Sequence, residues 1–458
     1  MKDKKHTLTA SHCRTCEELE RKGLPIPIAE EFYPQKSINQ ISKAPVHNWY
    51  FFTLGYSPLF VQYVIKKNGI AREDHVLDPF AGSGTTLVEC KLNGIRSYGV
   101  DANDFLAFAS STKTNWALSV ENVKKEYREV LKAAEPRIST TIKKVEPGIS
   151  MSLCPPDELD TIFDRNIRNK LLKSTYISSR PLAKLLVLKE LVNKVEDKAA
   201  RALFRLALAS ILVPSANVRF GPGFGLTKPR YDVNVLQLFK DKLARMISDL
   251  EFVQRIEHVG SSEAIIGDTR KLRACTNEKI FDYVITSPPY PGDHDYTRHT
   301  RLELSFLDFA EEMTDIRTIK KRMLRGSTRN YYSGDNDIEH VLKFPEIVSL
   351  VKKIALRVVE TNGTSGFEKL YSRVVGEYFG GMYSCLKEIF YSLEKKGIAT
   401  FLVGDSHAFK MVHIETARLL GEIGKDVGFS AYDIELWWNK RSTSHNFLLP
   451  EYILHLKK

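Results

Sequence analysis

Asp282-Tyr283-Val284-Ile285-Thr286-Ser287-Pro288-Pro289-Tyr290 is the stretch whose reading decides the fold. Its apolar run predicts a buried strand. The paired prolines end that strand at once, because each fixes φ and lacks an N–H for a ladder bond. The Ser287 and Pro288 carbonyls therefore cannot be absorbed into a continuing helix, and an aromatic ring stands beside them. Rigid acceptors next to a flat ring suit an amino group on a planar heterocycle. Taken alone, the same pattern also describes a strand that stops in a proline turn with a packed tyrosine.

Upstream, residues 75–80 read as a short strand that runs into Ala81-Gly82-Ser83-Gly84-Thr85-Thr86 and then a helix closed by Gly94. A second strand, residues 97–100, ends at Asp101. This is a βαβ opening with a glycine-rich first turn and an acid after the second strand. Glycines let backbone approach a ligand, and a carboxylate at that strand end can accept from both hydroxyls of a ribose. The third glycine of a GxGxxG pattern is missing, which disfavours a dinucleotide pyrophosphate site. Before this unit, Ser57-Pro58 predicts a helix start, with Ser as N-cap and Pro at the first helical position. Residues 263–268 resume the sheet just before the opening stretch. Residues 397–406, 433–438 and 452–456 add further strands, with a helix over 414–427. Strands that return after helical interruptions predict one α/β sheet carrying two insertions, not domains in a row.

A chain of 458 residues, 43% of them hydrophobic, exceeds one core and can bury a large one. No apolar run approaches the about 20 residues of a membrane span, and the N-terminus lacks the apolar region of a secretory signal, so a cytoplasmic protein is expected. The net charge of +11 favours a polyanionic partner. Six scattered cysteines argue against a disulfide framework. His12, Cys13 and Cys16 lack a second ligand pair, so no metal is expected. Two basic stretches carry aromatics and glycines, residues 219–230 and 320–332. They nominate Arg219, Lys228, Arg230, Arg325 and Arg329 as contacts to a nucleic-acid backbone, against the plainer reading of solvated loops.

Together, Asp78-Pro79-Phe80-Ala81-Gly82-Ser83-Gly84-Thr85 and Thr286-Ser287-Pro288-Pro289-Tyr290 resemble the amino-group DNA methyltransferases, which methylate cytosine N4 or adenine N6. The resemblance covers residues 46–103, 263–296 and 397–458. It implies a Rossmann-like class I methyltransferase sheet, S-adenosylmethionine as cofactor and double-stranded DNA as substrate. It also implies nucleoid association and a cognate restriction endonuclease as a partner. It further implies that Phe80, Gly82, Gly84 and Thr85 form the cofactor loop, Asp101 meets the ribose and Asp268 meets the adenine amino group. Ser57 and Pro58 correspond to the segment near the methionine end, and Asp78 to a loop-fixing residue or a partner of the methionine ammonium. Ser287, Pro288, Pro289 and Tyr290 become the catalytic residues, with Tyr290 stacking on a flipped base. Ser in place of Asp before Pro-Pro-Tyr leans toward cytosine N4. Adenine N6 is the alternative, and an RNA or protein amine a more distant one. No cysteine lies in this motif, which speaks against carbon methylation through a Pro-Cys nucleophile; Cys154-Pro155-Pro156 reverses that order in an insertion. The cofactor loop precedes the catalytic motif, the reverse of many enzymes with this motif. The expected organisation is an N-terminal arm over 1–45, a catalytic core of 46–103, 262–296 and 397–458, and helical insertions over 104–261 and 297–396. One or both insertions are expected to read DNA.

Overall fold

The computed structural model describes residues 44–145, 176–220, 224–363, 365–441 and 448–458. The arm up to residue 43, with His12, Cys13 and Cys16, and the Cys154-Pro155-Pro156 segment lie outside the described residues.

Nine strands are present among them: β1 (His75–Asp78), β2 (Arg96–Asp101), β3 (Val218–Phe220), β4 (Phe224–Leu226), β5 (Ser262–Ile266), β6 (Phe281–Thr286), β7 (Leu393–Gly404), β8 (Ala431–Arg441) and β9 (Leu448–Lys457). Eleven helices of eight residues or more accompany them. These are α1 (Pro58–Asn68), α2 (Thr85–Leu92), α3 (Asp104–Thr114), α4 (Val120–Ile142), α5 (Ser179–Asn193), α6 (Lys198–Ser215), α7 (Val235–Val253), α8 (Met313–Arg322), α9 (Pro345–Glu360), α10 (Tyr371–Ser392) and α11 (Thr416–Val427).

Seven strands form one sheet in the order β5-β2-β1-β6-β7-β9-β8. The first five run parallel, while β9 runs antiparallel to both β7 and β8. The expected α/β, Rossmann-like sheet is therefore present. The chain builds outward from β1 through β2 to β5, then returns to lay β6 against the other side of β1. In an open parallel sheet, ligands bind at the strand ends beside such a reversal. The end of the Ser287-Pro288-Pro289-Tyr290 strand lies at that point.

Local sequence explains the helices that flank it. Ser57 caps α1 by accepting from the Leu59 N–H at 3.3 Å, with Pro58 first in the helix, as the sequence predicted. Gly84 precedes α2 in the left-handed conformation, φ +85°, which no other residue adopts without strain. A Cβ there would also meet the Ser110 hydroxyl of α3 at 2.6 Å.

The second insertion shares a core with the sheet, and the first packs on Val88 of α2 and on the segment before α1. Helices α4, α5, α6 and α7 pack into one apolar cluster with Trp49, Phe105 of α3 and Leu302, Phe306 and Ile316. Helix α10, which the sequence placed inside the second insertion, contributes Val375, Tyr378, Phe379, Met382 and Ile389 to the cluster that holds Leu77, Val100 and Phe401 of the sheet. Its residues alternate like any amphipathic helix, so only the packing shows that it covers the sheet. Residues 218–226, read as a loop, form an antiparallel hairpin of β3 and β4 in which Phe220 stands opposite Phe224. Flanking Val218 and Leu226 fit short strands around the intervening glycines.

Gly84→Ala should destabilise the protein by about 1–3 kcal/mol, from forced left-handed backbone and the clash with Ser110. Chemical denaturation against Ser83→Ala as a neighbouring control measures it; equal midpoints would contradict the packing described.

Candidate active site

The buried Asp78 carboxylate stands at the end of β1. One oxygen accepts from the Thr286 hydroxyl at 2.6 Å and from the Phe80 N–H at 3.1 Å; the other accepts from the Tyr56 hydroxyl at 2.7 Å. Burial raises its pKa, and these three donors oppose the rise. It thus joins the ends of β1 and β6, the glycine-rich turn and the segment before α1. This geometry fits the loop-fixing role among the two considered from the sequence.

Beside it opens a cavity of about 480 Å³ at the carboxyl ends of the strands. Of the nominated residues, Ser57, Phe80, Gly82, Thr85, Asp101, Asp268, Ser287, Pro288, Pro289 and Tyr290 line it. Pro58, Asp78 and Gly84 do not; they shape the elements behind the wall. The β1-β2-β5 side carries Asp101 and Asp268. The β6-β7-β9 side carries Ser287, Tyr290, Leu402 and Glu451.

On the first side, Asp101 accepts from the Gly82 N–H and the Asn103 N–H, both at 2.8 Å, which folds the glycine turn over the end of β2. Burial pushes its pKa up to about 6. Asp268 is clasped by Arg270, whose Nε and Nη2 approach its two oxygens at 3.0 and 2.8 Å. The same guanidinium donates to Asp337 at 2.9 Å and to the Lys321 carbonyl at 2.7 Å. Arg270 therefore ties the end of β5 to the second insertion and fixes the orientation of Asp268.

On the second side, the Ser287 hydroxyl lies 3.0 Å from the Leu402 carbonyl of β7. A carbonyl only accepts, so the hydroxyl donates to it, and Oγ, with the Tyr290 hydroxyl 3.4 Å away, is still able to accept. The Tyr290 hydroxyl makes a longer contact to the same carbonyl, 3.4 Å. Its ring lies against Gly404 of β7, where a Cβ would approach Tyr290 Cε2 to 3.0 Å. That close approach leaves room only for glycine at position 404.

The loop after Tyr290 is held by its own acids. Asp293, at φ +56°, accepts from Ser327, from the Thr328 N–H and from the Thr328 hydroxyl. Asp295 caps the helical turn Tyr296–His299 and accepts from Lys320 Nζ at 2.7 Å. His294, between them, lines the cavity.

Several lining residues were not nominated from the sequence: Phe52, Tyr56, Trp437, Trp438, Glu451 and Arg322. Trp437 lies at a register shift between Leu436 and Trp438 in the β8–β9 pairing. Bulges of this kind redirect side chains, so both members of the Trp doublet reach one cavity. That doublet, set in a strand, was the available signal.

The nominated backbone contacts divide. Arg219, Lys228, Arg230 and Arg329 are exposed. Arg325 is a correction: its side chain is buried and bonded to Asp335 at 2.7 and 3.0 Å and to the Lys320 carbonyl at 2.9 Å. Its charge is spent inside the loop, not offered to a phosphate.

A family model described as DNA methylase matches residues 56–111, the segment that holds Tyr56, Asp78, the glycine turn and Asp101. The chain is similar over most of its length to the type II methyltransferase M.BsoBI of Geobacillus stearothermophilus, at 26% identity over 91% of this chain and 85% of that one. In its motifs, its family-model match and this relative, the chain is similar to the amino-group DNA methyltransferases. The type II methyltransferase M.MvaI of Kocuria varians is 22% identical to this protein over 85% of the chain and 83% of its own. M.AvaI of Anabaena variabilis is 21% identical, over 85% and 80%. The chain thus matches these relatives through both insertions and not only through the sheet. No described helix is long and apolar enough to cross a membrane, and no described group of histidines, cysteines and acids could hold a metal.

Because Arg270 meets two carboxylates and a carbonyl in a half-buried network, Arg270→Ala should cost about 3 kcal/mol. Urea denaturation reads the loss; a change below 1 kcal/mol would mean that Asp268 and Asp337 are solvated independently.

Proposed function

We propose that this protein transfers a methyl group from S-adenosylmethionine to the exocyclic N4 of cytosine in double-stranded DNA, by direct displacement after the base has left the duplex. The observation that carries the reading is the strand end where Ser287 lines the cavity and gives its hydrogen to Leu402, which leaves its oxygen able to accept. Such an acceptor, with the Ser287 and Pro288 carbonyls, orients an amino group so that its nitrogen lone pair is free for the methyl. Alignment is the main requirement of a displacement of this kind. Flipping the base out of the stack costs a few kcal/mol, roughly, before any chemistry.

The residues present fit the cofactor. The Gly82 backbone and Phe80 would face its adenosine, Asp101 its ribose hydroxyls, and Asp268 its adenine amino group, while Ser57 borders the methionine end. When bound, the cofactor supplies a methyl on a sulfonium, electrophilic enough that no covalent enzyme nucleophile is needed. Serine ahead of the Pro-Pro-Tyr turn favours cytosine; adenine N6 is the second reading, with the same amine geometry. Exposed Arg219, Lys228, Arg230 and Arg329 would contact the DNA backbone. A cognate restriction endonuclease is the expected biological partner, in a cytoplasmic and nucleoid-associated setting. The core of 46–103, 262–296 and 397–458 would carry the chemistry, and the segments 104–261 and 297–396 would read the sequence.

Duplex DNA treated with the protein and S-adenosylmethionine, then digested to nucleosides, should yield N4-methylcytosine by mass spectrometry. N6-methyladenine alone would select the second reading, and neither base would refute both.

Asp101 adds a pH dependence. With its pKa near 6, the carboxyl is protonated below that value and can no longer accept from two hydroxyls. Affinity for S-adenosylmethionine should therefore fall as pH drops below about 6, approaching tenfold per unit, and level off above pH 7. Calorimetric titration from pH 5 to 8 checks this, and Asp101→Asn should bind weakly with no such slope.

A further inference from the structure

The proposed chemistry leaves one proton without a destination. As the amine nitrogen bonds to the methyl, the carbon–sulfur bond breaks and the nitrogen becomes a cation, so an N–H proton must leave. Ser287 is a weak base whose hydrogen is engaged by Leu402, and the proline-turn carbonyls are weaker still. Burial raises the Tyr290 phenol well above its ordinary value, with the Glu451 carboxylate adding to the rise, so it is a neutral group at working pH. Asp101 and Asp268 belong to the β1-β2-β5 side and hold Gly82 and Arg270 there.

Among the described residues on the β6-β7-β9 side, Glu451 is the carboxylate that lines the cavity. It stands opposite Gly404 of β7 and Trp438 of β8 in the sheet register. The Cβ that Gly404 lacks would lie 3.0 Å from Tyr290 Cε2 and 3.5 Å from Glu451 Cγ. The tyrosine ring and the glutamate therefore flank one glycine, at the strand ends that carry Ser287 and Leu402. A reversed strand makes this possible: the start of β9 arrives where the parallel strands finish.

We infer that Glu451 is the proton acceptor at the target-amine end of the cavity, taking the N–H proton as the carbon–nitrogen bond forms and passing it to solvent. This assignment rests on the amine-methylation reading above. Among the described residues, the Tyr290 phenol feels its charge, and the backbone N–H of Asp405 at the end of β7 donates to the neighbouring Pro450 carbonyl at 3.1 Å. His294, also in the cavity wall, is the rival base.

The test compares Glu451→Gln, Glu451→Asp and His294→Asn in the full-length protein, at saturating DNA and S-adenosylmethionine. Glu451→Gln should lower kcat about 100-fold, the ordinary contribution of a positioned general base, and abolish the acid limb of the kcat–pH profile. Glu451→Asp should recover part of the rate, and His294→Asn should keep the acid limb. Calorimetric affinity for S-adenosylmethionine should be unchanged in Glu451→Gln. In a binding cycle, removing the amino group from the target base should cost affinity in the natural protein but not in Glu451→Ala. Retention of kcat within about threefold by Glu451→Gln, or transfer of the acid limb to His294→Asn, would overturn the assignment while natural activity remained. Absence of methyl transfer by the natural protein would instead fail the reading of function, and this assignment with it.

Discussion

A single buried carboxylate holds the catalytic crevice in shape. Asp78 lies at the end of β1 beside β6, where the strand order reverses and the chain departs in opposite directions on the two sides. Burying a carboxylate there is costly, and three donors are set against the cost. Each donor belongs to a different part of the chain: the catalytic strand, the glycine turn and the segment before α1. Pulling any of them away would leave the charge uncompensated, so all three are constrained together. The positions of Ser287 and Gly82 are thus coupled, although they lie far apart in sequence.

A second constraint acts at the rim. Arg270 orients Asp268 and simultaneously grips Asp337 and the Lys321 carbonyl, so the second insertion is anchored to the sheet by the residue that presents one cavity carboxylate. The Asp293 contacts to Ser327 and Thr328 repeat the arrangement on the catalytic loop. Both sides of the cavity are therefore tied to residues 320–337. Movements of that segment would be felt on both the β1-β2-β5 side and the β6-β7-β9 side of the cavity.

How much of this could be read from sequence follows from the range of each interaction. The strand ends of β1, β2 and β6 were legible because their chemistry is local: glycines, prolines and acids stand within a few residues of the positions they control. Ser57 and Pro58 were legible for the same reason, as a cap. Trp437, Trp438 and Glu451 were not, because their place depends on β9 slotting between β7 and β8, and neither strand's sequence records its neighbour. Arg325 was misread because a cation in a basic run looks solvated, while its actual partner, Asp335, lies ten positions on and folds back onto it. Helix α10 hid in an insertion because an amphipathic pattern shows that a face is buried but not against what.

The place of β9 also bears on how the protein is made. Strand β8 emerges from the ribosome before the strand that will separate it from β7, so two sheet edges wait open for a partner not yet synthesised. Open edges invite pairing with the wrong chain. The length of β9, Leu448–Lys457, and its ladders on both flanks mean that its arrival closes both edges in one event. The same event delivers Glu451 to the cavity. Completion of the cavity wall and closure of the sheet thus coincide once β9 has been made, and a chain that already displays Asp101 and the Ser287 turn but not yet β9 still lacks part of that wall.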